Sequence, residues 1–137
     1  MRDKYQEMLD QAAAEYAAVN GRYKEEAATA REASYELAEL EAEAENLRGK
    51  IADFEAGKIV IGAQEYVQIE DRRRWLAIRT KQQTVAARQA QRAVELAAAG
   101  VQGVHAKYHG KLAQMLEEDA RAAAAARRAE LVAVLRG

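Results

Sequence analysis

The sequence contains no cysteine and no proline. The first absence excludes a disulfide framework and a thiolate metal site, and the second removes the strongest helix breaker. Aromatic residues make up 6% of the chain, with one Trp and one Phe, too few bulky rings to fill a wide globular core. No apolar run reaches the length of a membrane span. The segment Met1-Arg2-Asp3-Lys4 has no apolar stretch of a signal peptide behind it. The expected location is the cytoplasm, and a membrane partner is not expected.

What the chain has instead is alanine, 33 of 137 residues, and 31% charged residues. That mixture favours long helices. Apolar residues in the first half recur at Tyr5, Leu9, Ala12, Tyr16, Val19 and Tyr23, then at Ala30, Ala33, Leu37, Leu40, Ala44, Leu47, Ile51 and Phe54. This is an alternation of four and three residues interrupted only at Glu26. A 3.5-residue repeat held this long specifies a narrow apolar seam and a left-handed supercoil. Residues 3 to 56 therefore read as one coiled-coil helix.

The pattern stops at Gly57-Lys58-Ile59-Val60-Ile61-Gly62, where two glycines and three β-branched residues disfavour helix. Gly57 suits the left-handed position that ends a helix, and Gly62 suits the next N-cap, with Glu65 facing the positive helix end. A small β-hairpin pairing residues 59–61 with 66–69 is the alternative. A second series then runs through Tyr66, Ile69, Arg73, Leu76, Thr80, Gln83, Ala87, Ala90, Val94, Ala97, Val101, Val104 and Tyr108, and slips one place to Leu112 and Met115. It crosses Gly100 and Gly103 in phase, which predicts a helix over 63–136, softened or bent at 100–110. The expected fold is a single all-α domain, a long antiparallel helical hairpin turning at 57–62. A three-helix bundle with a second turn at 100–103 is the alternative.

Charge supports the antiparallel reading. Residues 1–57 carry seven Lys/Arg against fourteen Asp/Glu, and residues 58–137 carry fourteen against eight. Glu32, Glu36, Glu39, Glu41, Glu43 and Glu45 form an acidic block, whereas Arg72, Arg73, Arg74, Arg79, Lys81, Arg88 and Arg92 form a basic one. In a hairpin turning near residue 60, residue i faces roughly residue 119 − i, which sets the two blocks against each other. Such pairs select register and orientation more than they stabilise. With this internal partner and a pI of about 6.2, the basic block argues against nucleic-acid binding as the main role.

No catalytic constellation is present. Ser34 is the sole serine and stands mid-helix without a nearby histidine, and Glu117, Glu118 and Asp119 read as a solvated charge run. His105 and His109 share a helical face at i and i+4, near the level of Asp10, but two imidazoles without further ligands make a poor metal site. The chain is expected to be no enzyme and to need no cofactor. Two elements point to interaction. Trp75, the only tryptophan, follows the turn closely enough to anchor an interface. Residues 119–137 run past the expected end of the first helix as a basic amphipathic helix with Leu131, Val132 and Leu135 on its apolar side, which seeks a protein groove or another copy of the chain.

The segment Gly57 to Tyr66, followed by Arg74-Trp75-Leu76-Ala77-Ile78-Arg79, resembles the inter-helix joint of small Ala/Glu/Arg-rich proteins of bacteriophages and prophages of high-GC bacteria. The resemblance implies a place among virion structure and assembly proteins. At the level of architecture the chain is also similar to the stalk proteins of flagellar and type III export ATPases. The expected function is that of a coiled-coil structural or assembly protein that bridges other proteins and self-associates. The alternatives are an export stalk or chaperone, a nucleic-acid-binding helical protein, and an inhibitor of a host protein.

Overall fold

The computed structural model describes residues 3–137. It is all-helical, 93% helix with no strand among the described residues, and its two helices pack against each other as a helical hairpin. Helix α1 spans Lys4–Glu55 and helix α2 spans Ala63–Arg136. The β-hairpin alternative fails because residues 59–61 stay irregular while helix resumes at Ala63, so Tyr66 and Ile69 enter the helical repeat. The three-helix alternative fails as well: α2 continues through Gly100 and Gly103. Each glycine there costs up to about 1 kcal/mol relative to alanine, which flanking helix on both sides absorbs.

The turn is built by backbone chemistry. Gly57 takes φ +74°, its N–H donates to the Phe54 carbonyl at 3.0 Å, and the Lys58 N–H donates to the Asp53 carbonyl at 2.9 Å. These two bonds satisfy carbonyls that the end of α1 would leave without partners, and the left-handed residue they require is the reason glycine stands there. The chain then turns Ile61 inward while Val60 stays in solvent. The Tyr66 N–H closes the first turn of α2 onto the Gly62 carbonyl.

Contacts divide the chain into two compact units, Arg22–Ala97 and Met1–Gly21 with Ala98–Gly137. In the unit that contains the turn, Ile51, Ile61 and Ile69 form a buried cluster against Leu47, Phe54 and Tyr66. From there the covered positions follow Leu47, Ala44, Leu40, Leu37, Ala33, Ala30 on α1, and Ile69, Arg73, Leu76, Thr80, Gln83, Ala87, Ala90 on α2. Leu76 is fully buried. Three polar residues sit in this seam; the buried Thr80 hydroxyl has no hydrogen-bond partner among the described residues, and the other two have identifiable ones. Gln83 is buried and its amide donates to the Ala33 carbonyl at 2.9 Å. Arg73 lays its stem along the seam and carries its charge out to Glu70 at 2.9 Å.

In the other unit, α2 covers Val101, Val104, Tyr108, Leu112 and Met115. On α1 the covered face differs from the expected one: Met8 is buried and Glu15 is half-buried, where the repeat placed Leu9 and Tyr16. Polar pairing explains the change of phase. Glu15 accepts from Lys107 at 2.9 and 3.0 Å, which holds it against α2, while the Tyr16 ring stands edge-on to His105 at the flank.

Candidate functional site

The basic stretch of α2 and its neighbours on α1 come first. Arg72 donates two hydrogen bonds to the Glu43 carboxylate, at 2.8 and 2.9 Å, and the planar match of guanidinium and carboxylate makes the pair bidentate. The bond holds Glu43 below its ordinary pKa and raises that of Arg72. The same guanidinium lies 4.2 Å from the centre of the Trp75 ring. Glu43, Arg72 and Trp75 therefore form a stack in which the indole is held by a cation that is itself held by a carboxylate.

Elsewhere the expected ladder of interhelix pairs is sparse. Arg73 pairs within its own helix, and Glu45 pairs with Arg48 on α1. Among the described residues Arg74, Arg79, Lys81, Arg88 and Arg92 enter no ion pair, nor do Glu32, Glu36 and Glu39. Arg79 shares a groove with Glu36, Glu39 and Glu43 without closing to contact distance. The pairs that do form differ in register from the expected ones: Glu43 meets Arg72, and Lys50 meets Glu65 at 2.8 Å, each about one helical turn nearer the bend than the expected spacing.

In the other unit two polar clamps join the helices. Asp119 accepts from Lys4 and from the Tyr5 hydroxyl. The Lys4 bond, then the Tyr5 bond, pull Asp119 below its ordinary range, and both donors are raised in return. Glu15 is lowered chiefly by Lys107, with help from the Tyr108 hydroxyl, and Lys107 and Tyr108 are raised by it. Between the clamps, His105, Tyr108 and His109 line an apolar groove with Met8, Leu9 and Tyr16. Asp10 lies outside the lining and accepts from Gln6. No cluster of three or more His, Cys, Asp or Glu that could hold a metal is found among the described residues.

Beyond the Asp119 clamp, α2 continues to Arg136 with every residue from Leu116 onward exposed. Leu131 is 60%, Val132 44% and Leu135 77% accessible. No helix of the described residues is long and apolar enough to cross a membrane.

The sequence reading singled out Trp75 but missed the row it belongs to. Ile78, Val85 and Leu96 are exposed on the same side of α2. The signal was available: the four positions fall on a three-and-four step like that of the seam, continued through Gln82, Gln89 and Arg92 and displaced from the seam around the helix. No protein-family model, curated protein or solved structure matches the chain.

Proposed function

We propose that the chain is a non-enzymatic coiled-coil protein that bridges other proteins, in the structure or assembly of a phage particle, and that it docks through the C-terminal part of α2. The 3.5-residue spacing of the covered positions on both helices supports the coiled coil. The observation that carries the docking role is the helix beyond Asp119, which exposes Leu131, Val132 and Leu135 without a covering element among the described residues. An amphipathic helix in this condition gains by laying its leucines into a groove. Between its leucines and the Asp119 clamp stand Arg127 and Arg128, which favour an acidic rim on the partner, while Arg121 pairs with Glu117 on its own helix.

The test is purification from the native host of the wild type and of Leu131→Asp with Leu135→Asp. The expected result is that a protein held by the wild type is lost from the double variant while helix content is unchanged, because aspartate on an apolar contact is costly to bury. The same partners on both proteins would refute the docking role. A second reading, nucleic-acid binding through α2, draws on the basic side chains that enter no ion pair. It requires binding at about 0.15 M salt tighter than the nonspecific range of about 10⁻⁴ to 10⁻⁶ M, and loss of that binding in Arg74→Glu, Lys81→Glu, Arg88→Glu.

A further inference from the structure

The row on the exposed side of α2 has the features of an interface. Trp75 is 46%, Ile78 62%, Val85 53% and Leu96 69% accessible. Gln82 and Gln89 fill the steps between them, so from 75 to 89 the row advances by three and four residues like the seam. Its largest member is already oriented. Arg72 stacks on Trp75, and Glu43 fixes Arg72 by two bonds, so binding would order little that is not ordered beforehand.

Charge identifies the occupant. Arg74, Lys81 and Arg88 recur every seven residues along one border of the row, Arg92 falls within it between Gln89 and Leu96, and among the described residues none of the four is in an ion pair. Two copies of this row facing each other would oppose like charges, which costs affinity. The exposed side of α1 is the reverse. Glu25, Glu32 and Glu39 recur every seven residues and among the described residues enter no ion pair; they form one border of a row of Ala28, Tyr35 and Ala42 with the same period, whose other border carries Lys24 and Arg31. Large side chains with one basic border (Arg74, Lys81, Arg88) on one helix therefore match smaller ones with one acidic border (Glu25, Glu32, Glu39) on the other, at a common seven-residue repeat.

We infer that the Trp75–Leu96 row of one chain binds the Glu25–Ala42 side of α1 in a second copy of the same chain. The two surfaces are different parts of the chain, so the contact is heterologous: each added copy leaves one of each surface free, and assembly grows as a string or closes as a ring. This inference rests on the reading of the chain as an assembly protein, and supplies the contact by which copies join.

Sedimentation of three proteins tests it. One is the wild type, the second carries Trp75→Ala, Ile78→Ser and Val85→Ser, and the third carries Glu25→Lys, Glu32→Lys and Glu39→Lys, with helix content checked by circular dichroism. The expected result is a wild-type mass that rises with concentration and falls toward the monomer at about 0.5 M salt, where screening is short. Each variant alone should associate about thirtyfold more weakly, the loss typical of removing an aromatic anchor. Mixed, the two variants should form a 1:1 dimer and nothing larger, since one retains the basic row and the other retains the acidic side. Should the apolar variant lose helix, Lys81→Gln with Arg88→Gln replaces it and is expected to weaken the association and flatten its salt dependence. A wild type that stays monomeric overturns the inference. So does a glutamate variant that still assembles, which would mean that two α2 rows meet each other. The variant Leu131→Asp with Leu135→Asp should assemble like the wild type. If it alone loses assembly, the inference is wrong and the C-terminal helix is the joining element; if it loses only its partner, both readings stand.

Discussion

Leu76→Ala should cost the hairpin about 2.5 kcal/mol. Leu76 is the one fully buried large side chain among the described residues, and it lies in the unit of residues 22–97. Truncation to alanine removes three carbons, worth about 2.4 kcal/mol at roughly 0.8 kcal/mol for each buried CH₂. The cavity left behind adds to this, but a seam between two helices can close partly, so the total belongs near the lower end of the roughly 2.7 to 5 kcal/mol seen for such changes in cores. The higher helix propensity of alanine returns a few tenths of a kcal/mol. Ile78→Ala, one half-turn away, is the control: Ile78 is 62% accessible, and its truncation should cost less than about 1 kcal/mol. Urea unfolding followed by circular dichroism and by the fluorescence of Trp75 reads both variants. With a denaturant dependence of about 1 to 3 kcal/mol per molar, Leu76→Ala should lower the midpoint by about 1 M or more, and Ile78→Ala by much less. Equal effects from the two substitutions would refute the packing described here.

Two glycines should respond with opposite sign. Gly57→Ala forces a side chain onto φ +74° and should destabilise by about 1 kcal/mol or more, whereas Gly49→Ala, in a helix with open space around the position, should stabilise by about 0.5 to 1 kcal/mol; a shared sign in thermal unfolding would contradict the turn. The clamps in the unit formed by residues 1–21 and 98–137 should loosen at both ends of the pH scale. Asp119 and Glu15 are lowered in the folded chain, so their contribution is present above the ordinary carboxylate range of about 4 and is lost as pH falls through their depressed values. Lys4, Tyr5, Lys107 and Tyr108 are raised, so theirs is present below about 10 and is lost as pH rises through the raised values. Protection factors of the amides near Tyr5 and Tyr108, taken against the intrinsic exchange rate at each pH, that are the same at pH 3 as at neutral pH would show that the clamps do not hold this unit.

The helices were legible because a 3.5-residue repeat is a strong signal, and every seam position read on α2 from Tyr66 to Met115 is a covered one. Gly57 was legible too, since few residues can end a helix in a left-handed conformation. On α1 near the N-terminus the repeat misled. Leu9 and Tyr16 are the more apolar residues, but Glu15 gains Lys107 and Tyr108 by facing α2, and hydropathy alone does not weigh that gain. Charge blocks gave the orientation and little of the detail, because the facing positions near the turn lie about one helical turn closer to the bend than a symmetric hairpin places them, so that Glu43 meets Arg72 and Lys50 meets Glu65. Gln83 stands in the second repeat although it is polar; its burial is explained by the Ala33 carbonyl, a partner that no sequence pattern marks.

The antiparallel packing of the two helices can be tested in one experiment, because the chain has no cysteine of its own. Leu40 and Arg79 line a common groove between α1 and α2, so cysteines placed at these two positions report on orientation. At high dilution, oxidation or a short bis-maleimide should join them within one chain, and peptide mapping should recover the 40–79 link in a product of monomer mass. Links formed only between chains, persisting on dilution, would contradict the hairpin.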